Sequence, residues 1–341
     1  MQKIILLLFL VISTTVCHSQ NTGSMYNKHT NAAELYIIDN NYTAALNEYQ
    51  AAFNTGVTFA QDLYNACVCS SKLNDKQKLI ALSTQLAKTG VGSNFFKRNT
   101  FKKWLDDSDM AAIIKEADTI RQKFQNTTKQ YTQGLRTFFI KDSTYNRLRQ
   151  TKFASEYELP DTLQNLFKEN TKNLLAYLET NGFYNEKRIG AKVVNDTLLG
   201  PFTQSDIVIL HYLEMGNDTA TVSAIKHLLL QQLDNGTVKP YQVEAFIILS
   251  HGIFEDIGHW NYQIYQCGLY RANKIEHESA INVSRAKYYM DYLEGFEKKI
   301  VFHYSRISDF DIRQYIIKSP VHDVDFFNSA YHNIATLVKC N

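Results

Sequence analysis

The stretch Ser250 to Trp260, SHGIFEDIGHW, puts two histidines and two carboxylates within eleven positions. His251, Glu255 and His259 recur every four residues, the interval at which a helix lines up side chains on one face. Such a row invites a metal reading, and helix geometry argues against it. His251 and His259 are separated by about 12 Å of rise on a straight helix, whereas one zinc holds imidazole nitrogens at about 2.0–2.1 Å. Only a break at Gly252 or Gly258 would fold the pair together, so no metal site is expected here. The two glycines are read instead as ending a helix whose apolar face carries Ile247 and Ile248. Glu255, Asp256 and His259 then fall in or near a polar connection leading to Gln263 and Tyr265, the first place to look for a site.

A third histidine, His211, lies between Val208 and Met215 in an apolar segment. Its plain reading is a buried imidazole with a satisfied hydrogen bond. Its sharper reading is an acid, a base or a ligand, because imidazole titrates near neutrality. No G-x-S-x-G, P-loop, H-E-x-x-H or G-x-G-x-x-G is present. That counts against the common hydrolase and nucleotide-binding mechanisms, and no cofactor is expected.

The elements that must position these residues read as helices. Four prolines and 14 glycines suit long helices with short connections better than a sandwich of many turns. Shifting the chain by 34 residues superposes Asn31-Ala32-Ala33 on Asn65-Ala66-Cys67, Asn40 on Asn74, Leu46 on Ile80, and Thr55-Gly56-Val57 on Thr89-Gly90-Val91. On these residues the first third resembles tetratricopeptide repeats, whose period is 34. The first unit has a polar turn at Asp39 to Asn41, then Tyr42, Leu46, Tyr49 and Phe53 as one apolar stripe. The second keeps the stripe as Leu79, Leu82 and Leu86, and Gly56 and Gly90 each follow a helix. A weaker third unit places Met110, Ile113, Ala117, Ile120 and Phe124 at helical spacing after a polar break at Asp106 to Ser108. Cys67 takes the place of Ala33, so it is expected as a small packing residue. The resemblance implies a face for a peptide or protein partner.

Residues 125–134, QNTTKQYTQG, are polar and are read as the connection to a larger part. There Leu163, Leu166, Leu174, Leu175 and Leu178 form an amphipathic run ending before Asn181-Gly182. Ile207 to Leu213 follow, capped by Ser205 or Asp206. Val222 to Leu233 stop at Asn235-Gly236, and Pro240 opens the next helix. Only residues 188–194, RIGAKVV, look extended. Beyond Arg285 the chain is rich in aromatic residues, which at helical spacing are core.

The first 19 residues have the layout of a secretory signal peptide: Lys3, then the apolar run Ile4 to Ile12, then small and polar residues. That run is short of the roughly 20 residues a span needs. Cleavage after Ser19 would leave Gln20 first, an ending that resembles exported proteins of the Bacteroidota. Lipidation would use Cys17, but Val16 is large where a small residue is wanted. Export permits disulfides, and Cys267 with Cys340 is one candidate bridge. The formal charge of +2 gives no electrostatic case for nucleic acid or an anionic membrane.

Several polar residues of the larger part occur in an order similar to that of an uncharacterised family of bacterial helical domains. KDSTYNR supplies Asp142, with Ser143 and Asn146 where that family has glutamine and arginine, and Arg147 one place late. Gly182, Gly190 and His211 match two glycines and a helical histidine. QIYQCG agrees at Gln263 and Tyr265 and departs at Gln266, Cys267 and Gly268. NVSRAKYYMDYL matches at Arg285, Asp291 and Tyr292. The likeness spans about Gly134 to Leu293 and implies no known activity.

The expected chain is all-α: a signal peptide (1–19), tetratricopeptide-like hairpins (20–124), a connection (125–134), a helical domain (135–295) and an aromatic-rich extension packed on it (296–341). The leading functional reading is an exported binding or scaffold protein, periplasmic or extracellular. The alternative is a hydrolase-like enzyme with His211, Asp142 and Tyr265 as catalytic residues and Gln263 and Arg285 as ligand-binding ones. Convergence of Asp142, His211, Gln263 and Arg285 in one pocket would favour the enzyme, and their scattering the scaffold.

Overall fold

The computed structural model describes residues 21–152, 160–194, 197–199, 204–215, 218–249, 254–258, 261–265, 268–272, 274–304, 309–312 and 335–339, and its class is all-α. Residues 1–19, Cys17, His251, His259, Cys267 and Cys340 lie outside them. Two helical hairpins come first. Helix α1 (Thr22–Ile38) packs on α2 (Tyr42–Phe53), and α3 (Ala60–Lys72) on α4 (Lys76–Lys88). The 34-residue period is written in the backbone. Asn40 and Asn74 both turn through the left-handed region, at φ 57° and 56°, as do Gly56 and Gly90 at 84° and 93°. Asn41 and Asp75 each cap the following helix by accepting a backbone N–H, from Ala44 and Lys78. The stripe residues Leu46, Tyr49, Leu79, Leu82 and Leu86 are buried in one cluster, with Tyr42 and Phe53 partly covered beside it. Cys67 is fully buried as Ala33 is, and burial pushes its thiol up to about 12.

After α5 (Asn99–Lys102) comes α6 (Ser108–Lys152), whose start is capped by the Asp107 carboxylate accepting from the Asp109 N–H. Its 45 residues make a rod of about 68 Å. Residues 125–134 form the middle of this rod, so the connection between the two parts is helical. A polar stretch without proline carries no signal that ends a helix, and a helix polar on most faces can bridge two packed bodies. Met110, Ile113 and Ala117 bury α6 in the first core, while Leu135 buries it in the second.

That second core is built from α6, α7 (Asp161–Asn181), α9 (Gln204–Met215), α10 (Thr219–Asp234) and α11 (Pro240–Leu249), following the short α8 (Glu186–Ile189). Gly182 ends α7 at φ 78°, and Gly236 follows α10 at φ 65°. The stretch read as extended is divided: Arg188 and Ile189 close α8, and only β1 (Lys192–Val194) is a strand, antiparallel to β2 (Thr197–Leu199). A second sheet was not legible. Its strands β3 (Tyr262–Tyr265), β4 (Gly268–Ala272) and β5 (Ala335–Lys339) run antiparallel, with Gln263 opposite Tyr270. Helices α12 (Glu278–Lys287) and α13 (Leu293–Tyr304) fall between β4 and β5 in sequence. Phe296 is fully buried edge-on to Tyr262, as core aromatics of the extension should be, whereas Tyr292 is exposed.

Buried charges tie the two parts together. Lys299 on α13 is wholly buried and reaches Glu34 on α1 and Asp291, each at 2.5 Å. Lys239, also buried, bonds Asp62 on α3 at 2.7 Å, and Tyr26 donates to the other oxygen of Asp62. Four groups that would each be costly alone are thus paired across the junction.

Candidate functional site

Helices α6 and α9 pack side by side and bring Asp142 against His211. The Asp142 side chain is wholly buried, that of His211 is 24% exposed, and His211 Nδ1 lies 2.7 Å from Asp142 Oδ2. A carboxylate can only accept, so His211 Nδ1 is the donor in this bond. The second oxygen, Asp142 Oδ1, is buried with no hydrogen-bond partner among the described residues. Two turns on along α6 and one along α9, Arg149 and Glu214 stand 3.7 Å apart, an ion pair close to solvent. Chemically, a buried carboxylate behind an imidazole fixes the ring's tautomer and orientation, an arrangement suited to a general base.

The remaining candidates go elsewhere or fall short. Arg285 is 1% exposed and serves the backbone: its Nε donates to Asp291 O at 2.5 Å and an Nη to Ile257 O at 2.9 Å. Its guanidinium also lies 4.2 Å from the Phe296 ring centre and 3.9 Å from Glu244. Burial lowers its pKa, against the attraction of Glu244 and Asp291. These contacts share no residue with the Asp142–His211 pair, and they make Arg285 an anchor for two loops. Gln263 and Tyr265 fall on β3, where the backbone register is described and their side chains are not. So two of the named residues meet, one stands in a different network, and two have only a strand position.

The acidic pair of the opening motif is engaged. Glu255 bonds Lys226 at 3.3 Å and accepts from the Lys287 ammonium and the Tyr288 hydroxyl. Partial burial opposes its charge, but the Lys287 and Tyr288 bonds prevail and hold it down at about 2. Asp256 Oδ1 accepts from Gly258 N at 2.7 Å, closing a turn in which Gly258 has φ 76°.

Sequence reasoning missed two groups. The buried charges Glu34, Asp62, Lys239 and Lys299 gave a faint signal: Glu34 lies between the apolar positions Ala33 and Ile37, and Lys299 between Phe296 and Ile300. The other is a clamp on α3. Gln61, Tyr64, Asn65 and Lys72 share one face, being spaced by three, four and seven residues. Asn65 both donates to Asp311 O at 2.9 Å and accepts from Asp311 N at 2.7 Å. Gln61 donates to the same carbonyl at 2.6 Å, and the Tyr64 hydroxyl to Asp309 O at 2.9 Å. Phe310 stacks on Tyr42 at 5.7 Å, with the Lys72 ammonium over both rings, and Ile312 is buried in the first core. The hairpins thus hold the non-helical segment 309–312 of their own chain mainly through its backbone.

No protein-family model, curated protein or solved structure matches the chain. Among the described residues no helix is long and apolar enough to cross a membrane.

Proposed function

We propose that this is an exported helical binding protein whose paired helices take up an extended peptide segment of a partner. The observation that supports this reading is the two-way bond between the Asn65 side chain and the Asp311 backbone. An amide side chain that satisfies both the N–H and the C=O of one residue recognises an extended chain with little regard to its side chains. Specificity is left to the Tyr42 face that stacks Phe310 and to the apolar seat of Ile312. The test uses the full chain carrying Phe310→Ala and Ile312→Ala, which loosens the resident segment, and a fluorescent peptide of sequence SDFDIR. Saturable binding in that background, lost on adding Asn65→Ala, is the expected result; no binding in either protein rejects the reading. Export rests on residues 1–19, and a secreted product whose first residue is Gln20 is the corresponding expectation.

The Asp142–His211 pair favours a second reading, a hydrolase-like enzyme with His211 as general base. Hydrolysis of p-nitrophenyl acetate above background, abolished by His211→Gln and by Asp142→Asn, would select it over the binding reading alone. Equal rates in all three proteins would remove it.

A further inference from the structure

Three helices end around one cavity of about 490 Å³ between the hairpins and the second core. They are α2, α4 and α10, each followed by a left-handed glycine, Gly56, Gly90 or Gly236. A helix C-terminus carries about half a negative charge and favours a cation beside it. The threonines at these three ends spend their protons inward. Thr55 donates to Ala52 O and Thr89 to Leu86 O, both at 2.7 Å, and Thr237 to Gln232 O at 3.0 Å. Toward a ligand these hydroxyls can therefore act only as acceptors, and that of Thr55 already accepts from Val57 N at 3.3 Å. Glu186 forms part of the wall, 6% exposed, its Oε1 held by the Ala60 N–H. Two exposed lysines, Lys88 and Lys187, stand at the rim. The lining thus combines threonine hydroxyls and a buried carboxylate with two exposed ammonium groups.

We propose that the cavity binds a short zwitterionic peptide or amino-acid-like molecule, its ammonium on Glu186 and its carboxylate toward Lys88 and Lys187. The ligand's N–H groups meet the threonine oxygens, and its size is set by a space that suits a few residues and no folded partner. Burial raises the Glu186 carboxyl to about 7, against the Ala60 hydrogen bond, with Asp62 raising it further and Lys239 lowering it. An arriving ammonium therefore completes an ionisation that the empty cavity resists. This site is separate from the α3 clamp and stands or falls independently of it.

The test is calorimetric titration of the full chain with trialanine, N-acetyl-trialanine and trialanine amide. Trialanine is expected to bind, and each derivative, lacking one terminal charge, to bind roughly tenfold or more weakly. Glu186→Gln keeps an acceptor for Ala60 and should weaken trialanine while leaving its N-acetyl derivative unchanged. Thr58→Trp, at an exposed position of the lining, should block entry with the fold intact by circular dichroism. Absence of trialanine binding to the wild-type protein, or equal binding of trialanine and its N-acetyl derivative, overturns the proposal.

Discussion

Burial keeps the Glu186 carboxyl protonated up to about pH 7, against an ordinary value of 4.5, and this ties stability to pH. The unfolded chain releases that proton near 4.5 while the folded chain still holds it. The stabilisation is therefore complete below about pH 4.5 and is lost as pH rises through about 7, amounting to about 3 kcal/mol for a shift of this size. Glu186→Gln cannot titrate, so its stability should lack that decline. Urea midpoints of both proteins at pH 5 and pH 8 check this: the wild type should lose more stability than the variant on going to pH 8, and parallel losses would contradict it. Glu186 was invisible in the sequence because its neighbours, Asn185 and Lys187, are those of an ordinary polar turn. His211 is conspicuous in the sequence as an imidazole in an apolar segment, and Asp142 only through residue order. Their 69-residue separation hides a contact that only the packing of α6 on α9 creates.

At the scale of elements, what could be read was what repeats locally. Asn40, Asn74, Gly56 and Gly90 occupy left-handed positions because a short polar side chain or none is needed there, and their 34-residue spacing survives in the backbone. The helical stripes and the Asp107 cap, inside the polar break at Asp106 to Ser108, are equally local. The sheet was not, since β5 begins 63 residues after β4 ends and its pairing leaves no mark within either strand. The junction of α1 with α13 is also a long-range feature, and it carries the second prediction. Lys299→Met removes the buried ammonium shared by Glu34 and Asp291, leaving Glu34 only the longer pair with Lys239 at 3.9 Å. Removing one partner of a buried ion pair costs about 3–5 kcal/mol. Urea denaturation should register a loss of that order. A loss below about 1 kcal/mol, the level of a surface pair, would mean that the cation is not buried as described.

For the whole molecule the question is whether the hairpins and the second core unfold together. α6 runs through both, and the Lys239–Asp62 and Lys299–Glu34 pairs would be torn from buried partners if either part opened alone. The segment 309–312, from the far end of the chain, is seated on α3, and Leu198 belongs to the hairpin core although its strand follows α8. Residues 125–134, which composition suggests as the connection, lie within α6, and buried ion pairs also join the two parts. Leu46 tests this. It is 7% exposed on α2, in the core where the first hairpin meets the second. Leu46→Asp puts an unpaired charge there and should cost roughly 3–5 kcal/mol. Because the parts are coupled, that loss should lower the midpoint of a single calorimetric transition, with helicity at 222 nm lost in step. If the hairpins melted first, leaving a second transition at the wild-type temperature, the buried charge pairs would not be joining the two cores.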